Sequence, residues 1–135
     1  MTQVMLDTSA YAAFKRGHSS VVHSLKRANG ILLPTIVLGE LWAGFEAGTR
    51  RERNRLDLET FLQSPRVALA PIGEETAVRY AIIYAHLRSL GRPIPTNDLW
   101  IAASAMEHGA TLLTSDAHFL QVPQILVDHV SPGDE

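Results

Sequence analysis

Four acids stand where the chain changes element: Asp7 after Val4-Met5-Leu6, Glu40 within the apolar stretch Ile36 to Phe45, Asp98 shortly after Pro93 and Pro95, and Asp116 after Thr111 to Thr114. A lone Asp at such a point can be explained without chemistry. Asp7 and Asp116 could each cap a helix, because a short carboxylate accepts from unpaired first-turn N–H groups. Asp98 could complement a helix dipole. Glu40 is harder to explain in that way. Its neighbours Ile36, Val37, Leu41 and Phe45 call for burial, and no local Lys or Arg neutralises it; a carboxylate beside a buried face is costly unless it is paired or bound to a cation. Brought together, four carboxylates with no basic partner repel one another, so some must protonate or a divalent cation must bind. Hard oxygen donors without Cys or paired His suit Mg²⁺ or Mn²⁺. Such an ion favours phosphate oxygens, activates a water held among the carboxylates, and steadies the charge that builds on phosphorus. The residue types therefore point to metal-assisted phosphodiester hydrolysis. Thr8, Ser9, Asn97, Thr114 and Ser115 flank the acids and could support them or bind phosphate.

The elements must bring these residues together, and the spacing allows it. Leu99, Ala102, Ala103 and Met106 recur at helical spacing, with Thr96 or Asn97 available as the N-cap and His108-Gly109 as the stop. From Asp98 to His108 such a helix advances ~15 Å, and the extended chain from Gly109 to Asp116 returns by ~20 Å. Asp98 and Asp116 are thus expected at one end of the unit. Earlier in the chain, Val4 to Leu6 reads as a strand leading into a helix capped by Thr8 or Ser9, and His18-Ser19-Ser20 restarts a helix that Asn29-Gly30 closes. Ile31 to Leu33 is a second strand, followed by helices from Ile36 to about Gly48 and from Arg50 to Gln63. Val67 to Ala70 is a third strand, Gly73 to about Leu90 a long helix, and Ile125 to Val127 a fifth strand before a polar tail. Short apolar strands alternating with helices imply a parallel sheet covered on both faces, with its ligands at the strand C-termini. Asp7 and Asp116 follow strands at that edge, and Glu40 lies about one and a half turns into the helix leaving the second strand.

Bulk composition narrows the setting. The 135 residues make one domain of ordinary globular balance, 46% apolar and 19% charged. The absence of cysteine excludes thiol catalysis, disulfides and Cys-type zinc sites. Asp7 interrupts the N-terminal apolar run and no basic segment precedes it, so no signal peptide and no membrane span are expected, and a cytoplasmic protein is the default. The net charge of −2 does not advertise a nucleic-acid partner. If four of the 14 acids surround a cation, however, the others no longer outnumber the 12 Lys and Arg, which is compatible with a phosphate-bearing partner. Arg50, Arg51, Arg53 and Arg55 form the densest basic run. It could meet phosphates or simply be a solvated helix face. Trp42, Phe45 and Trp100 could be core or an exposed interaction patch.

Taken in order, Asp7-Thr8-Ser9, Glu40 with Gly44 four positions on, Asp98-Leu-Trp-Ile-Ala-Ala-Ser-Ala, and Thr114-Ser-Asp116-Ala-His-Phe119 resemble a PIN domain. More specifically, they resemble the toxin nuclease of VapBC-type toxin–antitoxin pairs, over nearly the whole chain. The resemblance implies a PIN-like three-layer α/β fold over residues 1–135, with a central parallel sheet of about five strands in the order 3-2-1-4-5 flanked by helices. It further implies a Mg²⁺- or Mn²⁺-dependent endoribonuclease acting on RNA, a homodimer, and a small antitoxin that covers the site. By position Asp7, Glu40, Asp98 and Asp116 would be the acidic quartet that is both catalytic and metal-binding, with Thr114 as a polar neighbour. One position departs: two residues after Asp116, where many relatives carry another acid or Asn, this chain has His118. That histidine could bind phosphate or metal, but an exposed loop histidine is the expectation there.

Other readings are less well supported. A phospho-acceptor signalling domain needs an acceptor Asp after the third strand and a Lys after the fifth, but the third strand runs into Ala70-Pro71-Ile72-Gly73 and the only lysines are Lys15 and Lys26. A dehalogenase-like phosphatase would need a second Asp where Ser9 stands. A PIN-fold protein that binds or processes RNA without a toxin role keeps the same acids, and only experiment separates it from a toxin.

Overall fold

Three apolar segments make the middle of the sheet. β1 (Gln3–Leu6), β2 (Gly30–Pro34) and β4 (Thr111–Thr114) are buried except at their first residues. That is the pattern of parallel strands covered on both faces. The structure, a computed structural model, describes residues 2–131. β3 (Val67–Ala70) and β5 (Leu126–His129) complete the order β3-β2-β1-β4-β5, and every neighbouring pair is parallel. The two edge strands are more exposed than the centre, with Leu69 and Leu126 open to solvent. β5 begins one residue later than its apolar run suggests and extends through Asp128 and His129. An edge strand tolerates such polar residues because only one side of its backbone must pair.

Parallel neighbours need crossovers, which helices supply. α1 (Thr8–Lys15) and α2 (Ser19–Arg27) join β1 to β2, and α3 (Thr35–Ala47) and α4 (Arg51–Gln63) join β2 to β3. α5 (Glu74–Ser89) and α6 (Thr96–His108) join β3 to β4, and a 3₁₀ segment, Ala117–Gln121, precedes β5. The chain builds outward from β1 through β2 and β3, then returns to the other side of β1 for β4. The sheet's switch point therefore lies between β1 and β4, where open α/β sheets form a crevice outside the strand C-termini.

Register sets what meets in that crevice. Leu6 of β1 pairs with Leu113 of β4, so Asp7 and Thr114 emerge side by side one residue later. Beneath them Met5, Leu6, Leu33, Leu112, Leu113 and Phe119 are wholly buried. α6 covers this layer with Leu99, Ile101, Ala102, Ala103, Ser104 and Ala105, a mostly small face that permits close approach. Gly109 ends the helix in the left-handed region at φ +59°, a conformation that costs glycine nothing.

The helix starts differ from the expected ones. α1 is capped by Asp7, whose side chain accepts from Ala10 N, rather than by Thr8 or Ser9. α6 has Pro95 at its N-cap, whose carbonyl accepts from Leu99 N, with no side-chain cap. That leaves the side chains of Thr8, Ser9 and Asn97 for other partners. Trp42 and Phe45 are partly buried against the core, while Trp100 stacks on Tyr80 with ring centroids 4.2 Å apart. Among the described residues no helix is long and apolar enough to cross a membrane.

Candidate active site

Asp7 is the innermost of the four acids, at 4% exposure. Its Oδ1 accepts from Ser9 Oγ at 2.7 Å and Ala10 N at 2.8 Å, and its Oδ2 accepts from Thr114 Oγ1 at 2.5 Å. Each carboxylate oxygen has two lone pairs, so Oδ1 is filled and Oδ2 keeps one for a further partner. The cap role and the site role therefore coexist in this one residue. Burial pushes the Asp7 carboxyl above its ordinary range. Hydrogen bonds from Thr114, Ser9 and Ala10 oppose that push, and the charge of Asp116 adds to it.

The hydroxyls tie β1 to β4. Thr114 Oγ1, while donating to Asp7, accepts from Asp116 N at 2.9 Å, and Ser9 Oγ accepts from Ser115 N at 3.0 Å. Ser115 thus enters through its backbone amide rather than its side chain. Glu40 is held from both sides, its Oε1 by Thr8 Oγ1 at 2.5 Å and its Oε2 by Asn97 Nδ2 at 3.1 Å. Both partners are neutral. Among the described residues no Lys or Arg pairs with Asp7, Glu40, Asp98 or Asp116.

Asp98 and Asp116 do meet, as the helix and strand lengths require, and His118 joins them. One ligand atom from each lies within 4.8 Å of the others. His118 Nδ1 is 3.1 Å from Asp116 Oδ1 and 3.4 Å from Asp98 Oδ2. Burial raises the Asp98 carboxyl, the charges of Asp116 and Glu40 raise it further, and His118 opposes them. The four acids are therefore not equivalent. Asp98 and Asp116 form an open pair with His118, while Asp7 and Glu40 stand behind hydroxyl and amide partners. His118 is exposed, as expected of a loop histidine, yet its ring turns into the acids. The signal was the Asp-x-His spacing: Asp116 Oδ1 accepts from His118 N at 2.9 Å, and this tight turn folds the ring back toward the carboxylate that starts it.

Arg55 is spent on Glu52 and Glu59, and Arg51 on Glu46. Lys15, Arg16, Arg50 and Arg53 line a groove of about 500 Å³ between α1, α3 and α4, floored by Leu41 and Phe45, together with Asp57, whose Oδ2 is 3.7 Å from Lys15 Nζ.

The PIN domain family matches residues 4–125 of the chain. The chain belongs to that family. Similar proteins include "Ribonuclease VapC2" of Rickettsia felis, 30% identical over 130 residues that cover 93% of this chain and 96% of the relative. "Ribonuclease VapC4" of Mycobacterium tuberculosis is 32% identical over 92 residues, 68% of this chain and 71% of the relative. The solved structure of VapBC2 from Rickettsia felis, bound to a DNA fragment from the promoter, superposes with a TM-score of 0.85 at 27% identity, over 96% of this chain and all of that one. In this PIN domain the five-stranded order and the acids at the β1/β4 edge are both present in the described residues.

The site's donor set fits a divalent cation. Carboxylates dominate it, no guanidinium or ammonium neutralises them, and the two Asp carboxyls with raised affinity for protons are those that burial and mutual repulsion penalise. The sign for stability follows. In the cation-free protein the stabilising contribution of protonated Asp7 and Asp98 is full below their ordinary value of 3.8 and is lost as pH rises through their higher folded values. A cation that binds the ionised acids reverses this loss at neutral pH. Saturating Mn²⁺ at a hundredfold excess over its Kd is expected to stabilise the protein at pH 7.5 by about 2.7 kcal/mol, or ~10 °C in Tm. The gain should shrink as pH falls toward 4, where protons compete. Thermal unfolding with and without Mn²⁺ across that range measures it.

Proposed function

We propose that this PIN domain is a Mg²⁺- or Mn²⁺-dependent endoribonuclease acting in the cytoplasm as the toxin of a type II toxin–antitoxin pair. The observation that carries the reading is the set of four acids at the β1/β4 edge, coupled to one another and with no Lys or Arg partner among the described residues. The near full-length similarity to a protein named ribonuclease VapC2 supports RNA as the substrate.

Asp98 and Asp116 would hold the cation directly, with Asp7 contributing its remaining Oδ2 lone pair and Glu40 closing the rim. When bound, Mg²⁺ or Mn²⁺ neutralises phosphate charge and makes water acidic enough to attack phosphorus at neutral pH. The protein's own work is positioning. Thr114 and Ser9 aim Asp7, and their hydroxyls oppose the burial that favours its neutral form. Thr8 and Asn97 fix both oxygens of Glu40, so its charge arrives preorganised rather than being ordered during the reaction. Hydrolysis adds water across one P–O bond, and the proton lost by the water passes through the carboxylate cluster before the leaving oxygen takes one up. Arg16, Arg50 and Arg53, which line the groove where Lys15 faces Asp57, would supply positive charge for the flanking RNA phosphates.

A small antitoxin would bind over the site and silence it, in keeping with the VapBC assemblies that this fold resembles. Val78, Ile82 and Tyr84 on α5 are exposed and apolar, which supports self-association into a homodimer. Expression of the chain alone is expected to arrest bacterial growth and cut cellular RNA, and co-expression of the small protein encoded beside it should relieve both. Growth without arrest, and with intact RNA, would remove the toxin role. If the purified protein still cut RNA with Mg²⁺, the reading would become an RNA-processing PIN domain.

A further inference from the structure

We propose that His118 is a further protein ligand of the cation, a nitrogen donor through Nδ1 beside the carboxylates, and that it biases the centre toward Mn²⁺ over Mg²⁺. The inference rests on the metal-dependent reading above and concerns which ion the site prefers.

The spacing is that of neighbouring positions on one coordination shell. At metal–ligand distances near 2.1 Å, adjacent ligands of an octahedron lie about 3.0 Å apart. His118 Nδ1 is 3.1 Å from Asp116 Oδ1 and 3.4 Å from Asp98 Oδ2. One ring nitrogen thus approaches carboxylates from two different elements. Asp98 belongs to the first turn of α6, and Asp116 lies just past β4.

The ring is also held in place from behind. Asp116 caps the 3₁₀ segment by accepting from His118 N at 2.9 Å, and Phe119, the next residue, is wholly buried. His118 therefore projects from a turn anchored on both sides of its Cα. Its side chain stays half open to solvent, which leaves room for the water that such ions retain. Ligand type then decides the preference. Mg²⁺ demands oxygen donors, whereas an imidazole nitrogen is better accepted by later transition ions, and Mn²⁺ takes both.

The experiment uses the full chain with Mn²⁺ bound and reads two quantities: the ¹⁴N coupling in the electron spin-echo spectrum, and affinities for Mn²⁺ and Mg²⁺ by calorimetric titration. The wild type is expected to show a coupling from a directly bound imidazole. His118→Ala should abolish it, lower Mn²⁺ affinity by about tenfold, and change Mg²⁺ affinity by less than about twofold. His118→Asp should also lack the coupling but gain Mg²⁺ affinity, which separates ligand exchange from a general loss of structure. A Mn²⁺-bound wild type without ¹⁴N coupling, a coupling that survives in His118→Ala, or equal losses for both ions would overturn the proposal while leaving the carboxylate centre intact. Failure of Mn²⁺ to bind, or binding unaffected by Asp98→Asn, would overturn both the proposal and the reading on which it rests.

Discussion

Asp98→Asn is expected to slow RNA cleavage by about 10³-fold and, in the cation-free protein, to leave stability unchanged or raise it. The two effects have opposite signs because the residue is costly to the fold and needed by the site. Burial and the charges of Asp116 and Glu40 raise its carboxyl, so a neutral amide of the same shape relieves desolvation and repulsion. α6 does not depend on it, since the helix starts from the Pro95 carbonyl without a side-chain cap. A role confined to the helix dipole would give the reverse result, a small loss of stability with activity kept. Cleavage rates, combined with Tm values measured in chelator at pH 7.5, distinguish the two. The Tm gain on adding Mn²⁺ should largely disappear in the variant.

The largest stability effect is expected at Phe119. It is wholly buried and sits in a five-residue 3₁₀ segment held otherwise by the Asp116 cap and the bond from Val122 N to Phe119 O. Phe119→Ala should cost about 3–5 kcal/mol, a large share of the ~5–15 kcal/mol that stabilises a typical domain. Because the same segment aims Asp116 and His118, cation affinity should fall with stability. Leu120, the next residue, is 58% exposed, and Leu120→Ala should stay within about 0.5 kcal/mol. Denaturant titration of both variants measures the contrast. Equal effects would mean that the segment is not anchored as described.

Much of this arrangement was legible in the sequence, because it follows from lengths and periods. Apolar runs alternating with helical patterns imply the parallel sheet, and the rise per residue of a helix and a strand is enough to return Asp116 to the level of Asp98. Glu40 was conspicuous because an acid beside Val37 and Leu41 has no cheap explanation. What stayed hidden depends on competition between equivalent donors. Asp7, Thr8 and Ser9 can all cap a helix, and only the register of β1 against β4, which sets Asp7 beside Thr114, decides which does. Thr96 and Asn97 are good caps by type, yet Pro95 takes the N-cap position of α6 and Asn97 turns to Glu40. The exposure of β3 and β5 is likewise a property of strand order, which local periodicity does not carry. His118 was visible as a departure, but its ring direction depends on the turn that Asp116 makes around it.

The central claim is that these acids hold a divalent cation without which RNA is not cut. Its most direct test is cleavage of a defined RNA by the purified protein, freed of any bound partner, in chelator, then with Mg²⁺ or Mn²⁺ restored. The account predicts no cleavage in chelator, full recovery with either ion, and no recovery in Asp98→Asn. Cleavage that persists in chelator, or that Asp98→Asn performs at the wild-type rate, would contradict it.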